Sequence, residues 1–276
     1  HILIWNLLHL TKSIDINMLQ PEQILSNWED FLRYIDTYIT GDRGTKLKAF
    51  YLKYDDRFLM MPAAHKPQYH NCFPGGYIDH VNRVIEGALK IDNIWREMGV
   101  VDTYSTEELV FSAMNHDLGK FGTFEEEAYL PQTDQWRREK LNEPYMFNDR
   151  LEFMSVPDRG LYILSQLGIT VTKNELLTIK LHDGLYDEAN KPYLMSWMPE
   201  TRPRTSLIYI VHQADLMAAR IEFEREWLPK LLGPKSENKS NFNLKKEDKK
   251  TPVKSKALSS VKSEGLKNVM SNFFDE

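Results

Sequence analysis

Apolar residues recur at three- and four-residue spacing along most of this chain, the period of an amphipathic helix. Pro21 opens the first such stretch, whose apolar positions include Ile24, Trp28, Phe31, Leu32 and Ile35. A segment near 43–59 leads into Pro62-Ala63-Ala64, and Pro74-Gly75-Gly76 then opens a long helix over about 76–98. Along it, Ile78, Val81, Val84, Ile85, Ala88, Ile91 and Trp95 repeat with helical spacing. Further helices are predicted over about 106–118, 157–167, 173–182 and 203–227, and the polar, Pro-interrupted stretch 120–148 is predicted to be irregular. Period-two alternation is scarce. The pattern predicts an all-α bundle over residues 18–232.

The two ends read differently. Residues 1–17 include the apolar run Ile2-Leu3-Ile4-Trp5-Asn6-Leu7-Leu8 but no basic n-region or Ala-x-Ala site, so a secretory signal is not expected. They are read as a non-core extension, against the alternative of an N-terminal helix on the body. Residues 233–265 are rich in Lys, Ser, Asn and Glu, a composition that buries too little surface to offset its ordering entropy, and a flexible linker is expected. Residues 266–276 form a short amphipathic motif in which Leu266, Val269, Met270, Phe273 and Phe274 fall on one helical stripe.

Composition narrows the class. With 276 residues, 42% of them hydrophobic, the chain can bury a core, which excludes whole-chain disorder. The single cysteine, Cys72, excludes a disulfide framework and a Cys-based zinc site, and fits a reducing, cytoplasmic setting. No apolar run approaches the roughly 20 residues of a membrane helix. The net charge of -5 conceals a Lys-rich C-terminal segment, so the body is more acidic than the whole. An acidic body does not suggest a general nucleic-acid binder, because phosphate backbones attract basic surfaces.

Four residues carry the chemical signal: His80, His116, Asp117 and Asp215. Imidazole nitrogen and carboxylate oxygen suit divalent ions such as Mn, Fe, Mg, Co, Ni or Zn. Neighbours on a helix point about 100° apart, so His116 and Asp117 converge on one ion only near a helix end. His182-Asp183 is a second such dipeptide, and chance pairs are expected in a chain with eight histidines. Specificity comes from the ordered set Pro74-Gly75-Gly76-Tyr77-Ile78-Asp79-His80, His116-Asp117-Leu118-Gly119-Lys120 and His212-Gln213-Ala214-Asp215.

In these motifs, over roughly residues 60–225, the sequence resembles the HD-domain metal-dependent phosphohydrolase superfamily, an all-α fold. It is particularly similar to the HD domains of bacterial 3′–5′ exoribonucleases, which also carry a Pro-Ala-Ala segment and a Gly-Gly-x-x-x-His helix. Their N-terminal OB fold is not expected here. The resemblance implies that His80, His116, Asp117 and Asp215 are metal ligands and that the chain hydrolyses a phosphoester of a nucleotide. A 3′–5′ exonuclease on single-stranded nucleic acid is the alternative. His182 occupies one position of a second-metal set. The other, expected near 150–160, holds no histidine, so one metal is expected and a second stays open.

Other residues carry open roles. Asp117, Lys120 and His182 are the candidate catalytic group; Lys120 reaches a substrate phosphate or is a solvated lysine. His182 is a ligand, a general acid or a structural histidine. His70, Arg159 and His212 are candidate substrate contacts, with turn stabilisation, pairing to Asp158 and orientation of Asp215 as their respective alternatives. Arg137-Arg138 covers the entrance or is a surface charge run. The ending Lys267 to Phe274 resembles sliding-clamp-binding peptides, in which Met270, Phe273 and Phe274 would insert in a groove. That resemblance leaves room for a catalytically idle adaptor, or for a terminal helix docking on its own domain.

Overall fold

The computed structural model describes residues 19–226, apart from residue 102, together with residue 228. The expected extension 1–17, the linker 233–265 and the motif 266–276, with Met270, Phe273 and Phe274, lie outside the described residues.

The described residues are mostly helical. Pro21 starts α1 (Pro21–Tyr38), where the Gln23 side chain accepts from the Gln20 N–H at 2.8 Å; Trp28, Phe31 and Ile35 form the buried face. The segment expected near 43–59 is two helices, α2 (Gly41–Lys53) and α3 (Asp55–Met60), separated at Tyr54. The long helix is α4 (Gly76–Glu97), followed by α5 (Thr106–Asn115), which opens on a reciprocal cap between Ser105 and Glu108. α7 (Val156–Gln166) and α8 (Lys173–Leu181) start on the capping side chains of Ser155 and Thr172. The last described helix, here α10, spans Leu207–Glu226; it begins four residues later than expected, with the Thr205 hydroxyl accepting from the Leu207 N–H at its start.

The stretch 120–148 is more regular than expected. It holds a two-stranded antiparallel ribbon, β1 (Tyr129–Pro131) and β2 (Tyr145–Phe147), with Tyr129 opposite Phe147, and the short helix α6 (Gln135–Lys140) between them. Residues 184–201 form short 3-10 turns around α9 (Lys191–Leu194).

α4 and α10 pack against each other most extensively and form the centre, with α5 on α4 and α8 against both α5 and α10. Gly87 permits the approach: a Cβ there would lie 2.9 Å from the Met217 methyl. Ile78, Val81, Val84, Ile85 and Ala88 of α4 are buried, each of the larger ones contributing about 1.5–3 kcal/mol. An aromatic cluster of Phe31, Phe50, Tyr51, Phe58 and Phe121 ties α1–α3 to the turn that follows α5; Phe31 and Tyr51 meet edge-on at 4.6 Å, and Phe58 stacks on Phe121 at 5.0 Å. That turn carries Asp117 at its start, so the core fixes the chemistry. No helix among the described residues is long and apolar enough to cross a membrane.

Candidate metal centre

His80 lies one turn into α4, where residues 76–81 are all buried. Gly75 takes a left-handed φ of 78° before the helix, and a Cβ on Gly76 would fall 2.1 Å from the Asn71 carbonyl oxygen, so this tight start requires glycine. The helix expected over 106–118 ends at Asn115 instead. The Asn115 amide donates to the Phe111 carbonyl and accepts from Tyr51 Oη, while His116 Nδ1 donates to the Ala113 carbonyl at 2.8 Å. The His116 side chain thus takes over a helix-end acceptor, and a 3-10 turn (Leu118–Phe121) follows. The turn brings Asp117 beside His116, which continuation of the helix would have prevented.

α8 ends in the same way: His182 Nδ1 donates to the Ile179 carbonyl at 2.8 Å. A carbonyl only accepts, so Nδ1 carries the hydrogen in both histidines and Nε2 is turned towards the cluster. For His80, Nδ1 faces the buried Glu222 carboxylate at 3.1 Å. Each imidazole is oriented from behind, the arrangement that fixes metal-ligating histidines.

The donor atoms meet. His80 Nε2 is 3.2 Å from Asp215 Oδ1 and 3.7 Å from Asp117 Oδ2. His116 Nε2 is 3.3 Å from Asp117 Oδ2 and 3.8 Å from Asp215 Oδ1. Ligands about 2.1 Å from a common ion stand about 3–4 Å apart, and these spacings fall in that range. The buried Nε2 atoms of His80 and His116 have no hydrogen-bond partner of acceptable geometry despite those near neighbours. Buried polar atoms are normally satisfied, so two such orphans beside two carboxylates are what a cation would satisfy. The residues fit a divalent ion. His182 Nε2 adjoins the cluster at 3.7 Å from Asp117 Oδ1 and 3.6 Å from Asp183 Oδ1.

Charge is finely balanced around these atoms. Burial alone would lower the pKa of His80, but Glu222 and Asp215 outweigh it and hold the group up at about 10. His182 is likewise disfavoured as a cation by burial and held up at about 9 by Asp117, Asp183 and Asp215. Burial would raise Asp117, yet Lys120, His116 and His182 keep it well below the usual carboxylate range. Asp215 is also lowered against its burial, chiefly by His80 and His116. His70 is pushed well below the ordinary imidazole value by burial and by His80 and Lys120.

A cavity of about 610 Å³ opens over the cluster, within the range of small-molecule sites. Asp215, Lys120, His70 and His212 line it, as do Asp183 and Tyr129. Lys120 Nζ is 2.6 Å from Asp117 Oδ2, so its charge is committed to a candidate ligand rather than standing at a solvated helix end. His212 Nδ1 donates to the His182 carbonyl at 2.7 Å and so braces the end of α8; the His70 ring meets the His80 ring at a tilt, with centroids 4.6 Å apart.

Arg159 differs from its expectation as a substrate contact. It is buried, donates to the Gly119 and Glu152 carbonyls, and is not among the residues lining the cavity; Asp158 pairs instead with Lys180. Arg137 pairs with Glu143, and Arg138 donates to the Gln132 carbonyl, so both hold their own loop.

Three participants escaped the sequence reading. Glu222, which orients His80, is seven residues after Asp215, two turns along the same helical face, and that spacing was a readable signal. Asp183 belongs to a chance-like dipeptide but joins His182 and Asp215 as a group of mutually close donors. His65 stacks on Tyr129 at 5.6 Å in the cavity wall, and nothing local in the sequence marks it. No family model, curated protein or solved structure matches this chain.

Proposed function

We propose that this chain is an HD-type, metal-dependent phosphohydrolase acting on a phosphoester of a nucleotide. The observation that carries the reading is the meeting of His80, His116, Asp117 and Asp215, from three helices, with two buried Nε2 atoms left without partners. The order of their motifs, which resembles the HD superfamily, supplies the reaction class.

In this reading those four side chains hold one divalent ion. Such an ion supplies an activated water and offsets charge on phosphoryl oxygens. Glu222 keeps His80 in one tautomer and orientation. Lys120 neutralises Asp117 from the cavity wall and so keeps that carboxylate ionised as a ligand. His182, flanked by Asp117 and Asp183, holds a proton on Nε2 that it can pass to a departing oxygen. The bonds balance simply: water oxygen joins phosphorus, the ester P–O bond breaks, and the leaving oxygen takes a proton.

The test is metal content and phosphate release for the full chain and Asp117→Asn across Mn, Mg, Co, Ni and Zn, with nucleotides and single-stranded nucleic acid as substrates. Phosphate release by the parent and its loss in the variant, with helical circular dichroism retained, supports the reading. Mononucleotide release from strands alone favours the exonuclease. A full metal site with no turnover rejects hydrolysis and leaves an adaptor, whose peptide at Met270, Phe273 and Phe274 would then be the working part.

A further inference from the structure

The cavity over the metal centre has few charges to offer a phosphate. Among the described residues lining it, the permanent cations are Lys120 and Arg220, and Lys120 is committed to Asp117. Arg220 lies on the cavity-facing side of α10 with His212, Asp215, Leu216 and Ala219, an i, i+3, i+4, i+7, i+8 stripe. Its guanidinium is exposed and meets Glu224 at 2.8 Å, an i, i+4 surface pair that is weakly held and readily exchanged. A planar guanidinium matches two phosphate oxygens at once. Against it stand the carboxylates of Asp183 and Asp215 in the same wall.

The rest of the lining is histidine, alanine and Leu216, with three tyrosines, Tyr69, Tyr129 and Tyr186. Tyr69 and Tyr186 are 52% and 80% exposed at the cavity, and Tyr69 also meets His65, another lining residue, with ring centroids 6.1 Å apart. Such rings are platforms for a nucleobase, which stacks without regard to its identity.

Resting on the phosphohydrolase reading above, we propose that the substrate is a nucleoside monophosphate, its phosphate held by Arg220 and its base placed against Tyr69 and Tyr186. One phosphomonoester brings about -1.5 to -2 charges, which a divalent ion and Arg220, exchanged from its surface pair with Glu224, can answer. A triphosphate brings more negative charge past Asp183 and Asp215 with no further cation to meet it. A polynucleotide adds an internal phosphate per residue and meets the same shortage. Hydrolysis moves the phosphoryl group from the ester oxygen to water, yielding a nucleoside and inorganic phosphate.

The experiment uses the metal-loaded full chain and compares phosphate release from a nucleoside monophosphate, the corresponding triphosphate and p-nitrophenyl phosphate, for the parent, Arg220→Ala and Arg220→Lys. The expected result is preference for the monophosphate, with KM raised about 10- to 100-fold in Arg220→Ala, partial recovery in Arg220→Lys, and unchanged metal content. Tyr186→Ala is expected to raise KM for the nucleotide more than for p-nitrophenyl phosphate, whose single small ring offers less surface to stack. Preference for the triphosphate, or an Arg220→Ala variant equal to the parent, overturns this inference and leaves the hydrolase reading standing. No turnover of any phosphoester by metal-loaded parent overturns both.

Discussion

The ends of α5 and α8 carry the same dipeptide in the same local geometry, and they differ in what surrounds it. Both His116 and His182 turn Nδ1 back to the carbonyl three residues earlier at 2.8 Å, and a 3-10 turn follows each. The neighbouring carboxylates part company. Asp117 has a 7% exposed side chain and is gripped by Lys120, whereas that of Asp183 is 45% exposed and has His182 as its near cationic neighbour. Local sequence therefore builds a histidine aimed forward from a helix end, and burial decides whether its companion becomes a fixed charge. The aromatic cluster around Phe121 buries the first turn; the second opens on the cavity.

The widest separation between the two ends comes from neutralising each carboxylate in turn. Asp117→Asn is expected to lower divalent-metal affinity by more than about 100-fold, beyond the usual cost of losing an outer partner. It also leaves Lys120 buried without its counter-charge, so a stability loss of about 3 kcal/mol is expected by thermal or urea unfolding. Asp183→Asn is expected to alter metal affinity less than tenfold and stability by under about 1 kcal/mol, because that side chain stays hydrated. Equal losses in isothermal titration would erase the distinction.

Between these extremes lies the support behind His80. Glu222→Gln keeps an oxygen for the His80 Nδ1–H but removes the charge, and metal affinity is expected to fall about 10- to 100-fold. Unaltered affinity in a competition assay would make Glu222 a packing residue only.

A smaller effect appears in the pH dependence of chelator-treated protein. His80 and His182 are held at about 10 and about 9, above the roughly 6.5 of an unfolded histidine. Their contribution is complete below pH 6.5 and is lost as pH rises through 9 to 10. Asp117 and Asp215 are held low, so theirs is present above about pH 4 and is lost only in acid. His70 has the opposite sign to the other histidines and weakens the fold only below pH 6.5. The Tm of metal-free protein is thus expected to decline from pH 6.5 to 10, while metal affinity rises as protons leave Nε2. A Tm that is flat or rising across that window would contradict the charge balance described for the cluster.

The hydrophobic period announced the helical body and most helix positions, because a buried stripe imposes spacing wherever a long helix meets a core. His80, His116, Asp117 and Asp215 were legible as an ordered set; His80, His116 and Asp215 are mutually close donors, and Asp117 groups with His116 and His182. What the period could not register was helix termination by a side chain: His116 takes the Ala113 carbonyl that the Asp117 N–H of the expected 106–118 helix would have used. Arg159 was misplaced for a related reason, since its two carbonyl partners, on Gly119 in the 3-10 turn and on Glu152 in irregular backbone, have no sequence signature. The β1–β2 ribbon is too short to establish alternation, and His65 and Tyr129 meet only through that ribbon.

The central claim is that the four side chains bind one cation, and titration of the metal-free full chain with Co²⁺, followed by its visible absorption, tests it most directly. The account expects saturation with the intense bands of a nitrogen–oxygen site of low symmetry, abolished in His116→Ala while the helical signal persists. A parent protein that gives only the spectrum of hydrated Co²⁺, or a His116→Ala variant that binds as the parent does, would contradict it.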